Sequence, residues 1–253
     1  MLSPYSVDMD KPEVALDNCD EVYDFYLRHQ QNRLAAKAAY GLLALKFRPR
    51  VTYADGAKEQ VRALVRSDSR LVLAVNHLSQ RDPYTVAAAA SASALRPAIG
   101  RTRVLAKDEL FLEPKRRERV DLMGGIPVFR GKNHGMRAVN AAGQRMMDVC
   151  AERMRRGDDL AIFPEGTCNL EDPTRLQKIG SGIGHIMSRA VKLGVRPVLL
   201  YMGISYGPVP GKETRASVYL DNPVTEIPEK PADIARLVAA GLQRAVDGAV
   251  ARY

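Results

Sequence analysis

From residue 50 onward, short aliphatic and β-branched runs alternate with longer stretches whose apolar residues recur every three to four positions. Runs of the first kind fit buried strands and those of the second fit helices, so their alternation predicts an α/β domain with a largely parallel sheet. The strand runs lie at 51–54, 71–76, 103–106, 126–129, 160–163, 197–206 and 216–220, and helical periodicity covers 57–66, 83–95, 135–156, 182–192 and 231–251. The helix over 135–156 ends in Arg153, Arg155, Arg156 and Gly157, bases suiting the negative helix terminus and glycine the left-handed residue beyond it. Its methionines, Met136, Met146, Met147 and Met154, read as core filler. Ahead of these elements, 20–46 reads as one long helix with Leu27, Leu34, Ala38, Leu42 and Leu45 on one stripe and Arg33, Lys37 and Arg48 on another face. That stripe admits two readings, a core-packing face or a basic amphipathic element lying on an anionic membrane surface. No repeat or linker interrupts the pattern, which divides the chain into an N-terminal helical segment, 1–50, and a single α/β domain, 51–253.

Composition narrows the classes. The chain has 253 residues with 46% hydrophobic and 26% charged, ordinary for a globular protein and far from disorder. Lys plus Arg number 38 against 29 Asp plus Glu, a net charge of +9 that favours anionic partners without choosing among them. With 6% aromatic residues, no Trp and no homeodomain, zinc-finger or RNP pattern, nucleic acid is set aside. The longest stretch without a charge covers 197–211 and is broken by Pro and Gly, so no spanning helix is expected. The acidic first 20 residues do not read as a secretion signal. Three scattered cysteines, Cys19, Cys150 and Cys168, suggest neither a disulfide framework nor a zinc cluster and fit a reducing cytoplasm. His29, His134 and His185 lack ligand spacing, so no metal is expected.

Three constellations could carry chemistry, each directly after an apolar run. In Asn76-His77-Leu78-Ser79-Gln80-Arg81-Asp82-Pro83, Asp82 before Pro83 looks like a helix N-cap, and a turn of this length can fold His77 back onto its carboxylate. A carboxylate on one ring nitrogen fixes the tautomer and leaves the other nitrogen to take a proton from a hydroxyl. The run 124–130, Gly-Gly-Ile-Pro-Val-Phe-Arg, ends in Arg130, a guanidinium suited to phosphate. Phe163-Pro164-Glu165-Gly166-Thr167 sets a carboxylate on a turn whose backbone can approach a ligand closely. Because open α/β sheets bind ligands beyond the carboxyl ends of their strands, His77 and Glu165 are expected on one rim.

In this order the three segments resemble the leading motifs of the glycerolipid acyltransferases, specifically the 1-acylglycerol-3-phosphate (lysophosphatidic acid) acyltransferase family. A string such as Phe163–Thr167 arises by chance about once in ten thousand chains of this length. Lys107-Asp108-Glu109-Leu110-Phe111 is similar to the Lys-x-Glu-Leu-Phe segment before the family's second motif, and Lys178-Ile179-Gly180 to the Lys-x-Gly after its third. The resemblance covers roughly 70–205. It implies a glycerol-3-phosphate-acyltransferase-like sheet flanked by helices, with no cofactor beyond an acyl-CoA or acyl carrier protein thioester as co-substrate. It implies acyl transfer to the hydroxyl of a lyso-glycerolipid, peripherally at the cytoplasmic face of the cell membrane. Carried over residue by residue, it makes His77 and Asp82 catalytic and gives Arg130, Glu165 and Gly166 to the acceptor, with Thr167 beside them and Lys107 assisting at the phosphate. His77→Ala and Asp82→Ala are each expected to lower turnover without unfolding the chain, and Arg130→Ala to raise the acceptor KM.

Two positions depart from the family pattern. Cys168 stands where the family commonly has Arg, and Leu200 where a second Pro is common in the fourth motif. The first points to Arg175 or Lys178 as a replacement charge, or to a headgroup other than a simple phosphomonoester. It also opens a route through a Cys168 thioester. Alternatives to lysophosphatidic acid are glycerol 3-phosphate, another lysophospholipid, a lyso-ornithine lipid or a glycolipid, and the competing class is a membrane-surface binding module without turnover. The basic run Lys115-Arg116-Arg117-Glu118-Arg119 suits a solvated face or an anionic partner.

Overall fold

The computed structural model describes residues 11–207 and 215–253. A seven-stranded sheet in the order β1-β7-β6-β2-β5-β3-β4 forms its centre. The strands are β1 (Arg50–Tyr53), β2 (Arg70–Val75), β3 (Thr102–Lys107), β4 (Gly125–Val128), β5 (Asp159–Ile162), β6 (Pro197–Ser205) and β7 (Ser217–Leu220). β6, β2, β5, β3 and β4 run parallel to one another, whereas β7 pairs antiparallel with β6 and parallel with β1, so the last two run the other way. The helices are α1 (Cys19–Arg28), α2 (Arg33–Phe47), α3 (Ala57–Leu64), α4 (Asp82–Ser91), α5 (Pro114–Leu122), α6 (Gly131–His134), α7 (Ala138–Arg155), α8 (Gly182–Lys192) and α9 (Pro231–Ala251).

The two central strands show why the sheet is covered on both sides. In β2, Val72 and Ala74 enter one core with residues of α1, α7, α8 and α9, while Leu71, Leu73 and Val75 enter a second core with Val61 of α3 and Ala89 of α4. β6 divides in the same way, Leu199 and Tyr201 against Val198, Leu200 and Met202. Successive side chains point to opposite faces, so a strand buried on both reads as a continuous apolar run. Each fully buried aliphatic side chain stabilises the fold by about 1.5–3 kcal/mol. α2 lies outside α4, joined to it by Ala36, Tyr40, Ala87 and Ile99.

Several sequence expectations change here. The expected helix over 20–46 is two helices, broken across residues 29–32, where Asn32 Oδ1 accepts from Ala35 N at 3.0 Å and caps α2. The leucine stripe divides at the break: Leu27 of α1 packs against the core, whereas in α2 Leu34 is 80% exposed and Leu42 and Leu45 are each 68% exposed. The helix expected over 135–156 is preceded by the short α6 and starts only at Ala138, because Gly135 takes φ +84°. Met146, Met147 and Met154 are buried, but Met136 is exposed ahead of the helix. The basic run Lys115–Arg119 is helical as well, lying wholly within α5, where Lys115 N and Arg116 N donate to Glu113. Among the described residues no helix is long and apolar enough to cross a membrane.

The parallel arrangement fixes the place of the site. β6, β2, β5, β3 and β4 are neighbours pointing the same way, so the residues following them emerge on one rim: Tyr206, His77, Phe163–Cys168, Lys107 and Arg130. A cavity of about 50 Å³ lies behind this rim, lined by Tyr40, Leu73, Val86, Ala90, Leu160 and Phe163 among others.

Candidate active site

β2 ends at Val75, and Asn76 ties its end to β6: Asn76 Nδ2 donates to Ile204 O at 3.0 Å and Asn76 Oδ1 accepts from Ile204 N at 2.7 Å. This side chain imitates one rung of a ladder and fixes where His77 leaves the sheet. His77 Nδ1 lies 2.8 Å from Asp82 Oδ2, the contact expected from the spacing. Asp82 is fully buried, with 0% exposure. Its role at the helix start differs from the expected N-cap. Asp82 is the first residue of α4, and its Oδ2 accepts from upstream amides, Leu78 N at 2.5 Å and Ser79 N at 2.8 Å. The carboxylate thus folds back over the turn, whereas a capping side chain reaches forward into the helix. Tyr206 O–H donates to the other oxygen, Oδ1, at 2.8 Å.

Because Asp82 accepts at Nδ1, the proton of a neutral imidazole sits there and Nε2 presents its lone pair. Phe163 stacks on the ring with centroids 4.4 Å apart and planes 28° from parallel. Cys168 Sγ lies 3.4 Å from Nε2 and 3.6 Å from Gln80 Nε2. Burial, with the charge of Asp82 behind it, pushes the Cys168 thiol up, while Lys107 pulls it down.

Glu165 is placed next to His77, but through the backbone. Its Oε1 accepts from His77 N at 2.8 Å and its Oε2 from Gln177 N at 2.9 Å. Burial pushes its carboxyl up, against the pull of the Gln177 and His77 amides. Asn169 N donates to His77 O at 2.6 Å, so both backbone groups of His77 are held by the 163–180 loop. Asn169 organises that loop in turn: its Nδ2 donates to Asp172 O and Arg175 O at 2.8 and 2.5 Å. Gly166, at φ +70°, and Thr167 are exposed on the turn.

Lys107 and Arg130 come together around Glu109. Arg130 donates from one terminal nitrogen to both Glu109 oxygens at 3.0 and 3.1 Å, Asn133 Nδ2 donates at 2.5 Å, and Lys107 Nζ lies 3.6 Å away. Against desolvation, Arg130, Asn133 and Lys107 hold the Glu109 carboxyl below its usual range. Two cations face one carboxylate, so this corner keeps a net positive charge that can receive an anion. Arg175 and Lys178, the suggested replacements for a charge at 168, are both exposed.

The rim therefore unites an imidazole held by a buried carboxylate, a cationic corner and an apolar cavity. Tyr206, Asn169 and Gln177 were not singled out by sequence. Tyr206 ends a strand that reads as uniformly apolar, and Asn169 and Gln177 act through backbone groups that carry no residue signature. The nearest signal was position: residues just past the carboxyl ends of central strands. Among the described residues no cluster of His, Cys, Asp and Glu could hold a metal ion.

No curated protein matches the chain. Among solved structures, the crystal structure of the 1-acyl-sn-glycerophosphate (LPA) acyltransferase PlsC from Thermotoga maritima matches with a TM-score of 0.52 at 19% identity, over 91% of this chain and 78% of that one. The fold is thus shared, an α/β sheet flanked by helices. The family model described as Acyltransferase matches residues 56–202, a span that holds the His77–Asp82 turn, Arg130 and the 163–167 motif, and the chain belongs to the Acyltransferase family.

Proposed function

We propose that this chain transfers a fatty acyl group from an acyl-CoA or acyl carrier protein thioester to the hydroxyl of a lyso-glycerophospholipid, 1-acylglycerol 3-phosphate first among them. The observation that carries this reading is the buried Asp82 on His77 Nδ1, which leaves Nε2 as the base. In the step, Nε2 takes the acceptor's hydroxyl proton as the oxygen attacks the thioester carbonyl carbon. A tetrahedral oxyanion forms, the carbon–sulfur bond breaks, and the leaving thiol takes the proton back from the imidazolium. A positioned base of this kind contributes about 10²–10⁴ in rate. Lys107 and Arg130 are the groups that would receive the acceptor's phosphate, and the apolar cavity against Phe163 supplies a direction for the acyl chain. Exposed Leu34, Leu42 and Leu45, interspersed with exposed Lys37 and Lys46, support docking on the anionic inner face of the cell membrane.

The contact of Cys168 with Nε2 favours one second reading, in which the acyl group passes first to this thiol. A thiol pushed up by burial is a poor thiolate, and direct transfer is the simpler path. The test is thiol release from palmitoyl-CoA over a panel of lysophospholipids, with products identified by mass. Release that needs both lysophosphatidic acid and His77 supports the named reaction, and His77-dependent release with another acceptor replaces the substrate. Silence with both CoA and carrier-protein donors would turn the reading toward a binding module.

A further inference from the structure

We propose that Tyr206 is a positioning residue for the base, oriented in its turn by Thr85, an inference that rests on His77 acting as the base. A carboxylate only accepts, so the 2.8 Å contact between Tyr206 O–H and Asp82 Oδ1 spends the tyrosine's one proton. The contact of Thr85 Oγ1 with the tyrosine oxygen, also 2.8 Å, must then be donated by Thr85. The donors are fixed: Thr85 donates to Tyr206, and both Tyr206 and His77 Nδ1 donate to Asp82. Thr85 is itself buried, and it lies on the same helix as Asp82, three residues on.

This relay does two things that the His77–Asp82 pair alone does not. Oδ2 already accepts from His77 Nδ1, Leu78 N and Ser79 N, and without a donor on Oδ1 the carboxyl group could turn about its own axis and misalign the imidazole. Tyr206 holds Oδ1 from just past the end of β6, 124 residues away in the chain, and thereby couples the orientation of the base to the sheet. The tyrosine's proton also draws on the negative charge of Asp82, so the carboxylate attracts a cationic ring less strongly. The charged and titratable groups around His77 and Asp82 are Glu165 on the backbone side, Cys168 at Nε2, Tyr206 after β6, and Lys107 acting on Cys168.

The experiment compares Tyr206→Phe and Thr85→Val with the wild type, using palmitoyl-CoA and the acceptor that the wild type uses best. Tyr206→Phe should lower kcat about tenfold, the scale of one hydrogen bond to a charged group, with KM changed by less than about twofold. The acid limb of its kcat profile should move to higher pH. Replacing Tyr206 by 3-fluorotyrosine, a stronger donor of the same shape, should move that limb the opposite way. An unchanged kcat and limb in a folded Tyr206→Phe, or a rise in KM alone, would overturn the proposal. A second readout needs neither turnover nor an acceptor: the hydrogen-bonded Nδ1 proton of His77, followed by NMR in protein labelled at histidine nitrogen, should shift in Tyr206→Phe and in the fluorotyrosine protein. If that proton is indifferent to both changes, Tyr206 does not act through Asp82, whatever the enzyme's substrate. Absence of transfer in the wild type with a shifting proton would instead count against the acyl-transfer reading and leave the relay standing.

Discussion

At the scale of single residues, Asp82 and His77 are partners with different structural duties. His77→Ala removes a half-buried ring, and turnover should fall about 10²–10⁴-fold with little change in melting temperature, checked by kinetics beside a thermal melt. Asp82→Ala should behave otherwise than the sequence suggests, because it leaves Leu78 N, Ser79 N and Tyr206 O–H without their acceptor in a buried place. Each orphaned donor costs about 1–3 kcal/mol, so this variant should lose stability as well as activity, with a lower melting midpoint the measurement to make. Cys168→Ser keeps a small hydroxyl near Nε2 and should retain turnover within about threefold if the acyl group passes directly. Loss of turnover, with an acyl adduct on wild-type Cys168 seen by intact mass, would favour the covalent route. His77 and Asp82 could be paired from spacing alone because both lie in one short turn. Tyr206 could not, since its partner is 124 residues distant and no local period marks it.

At the scale of elements, α1 and α2 serve different masters. The end of α1 is held by a buried ion cluster: Asp158 Oδ2 accepts from Arg103 Nε at 2.7 Å and Arg153 Nε at 2.6 Å. The same two guanidiniums donate to His29 O at 2.8 Å, just past the helix, and to Leu27 O at 3.0 Å in its last turn. Asp158→Ala would strand two buried arginines, a loss of about 3–5 kcal/mol, and at 2–4 °C per kcal/mol the melting midpoint should drop by about 10 °C. α2, by contrast, presents its leucines outward. Replacing Leu34, Leu42 and Leu45 by serine should leave the melt unchanged and weaken binding to vesicles containing anionic lipid, and unchanged cosedimentation would remove α2 as a docking element. Sequence periodicity saw one helix here because Leu27 and Leu34 keep helical spacing across the break. The cap on Asn32 was the cue that periodicity ignores. The α5 helix was similarly hidden, its polar face reading as a charged run while Glu113 before Pro114 marked its start.

At the scale of the molecule, the strands and their α/β alternation were legible because β2 and β6 are buried on both faces and so read as unbroken apolar runs. Their order was not, since nothing in a strand's own composition tells that β7 and β1 run against the other five. Yet the rule that ligands bind past the carboxyl ends of parallel strands placed His77 and Glu165 on one rim before any order was known. The cavity behind that rim holds only about 50 Å³, room for little more than a water or two, so an acyl chain seated there would have to widen it. Filling it by Ala90→Leu should disfavour long acyl donors over short ones, read as a ratio of kcat/KM values, and an unchanged ratio would send the chain elsewhere. The 163–180 loop has a consequence of another kind. Gly180 N donates to Pro164 O at 2.9 Å, closing the loop at its base like a drawstring, while Asn169 braces its interior. A segment shut at its neck and stiffened from within is a clamp as much as a loop, and any exchange of it between related chains must keep Glu165 and Asn169, through which it grips the backbone of His77.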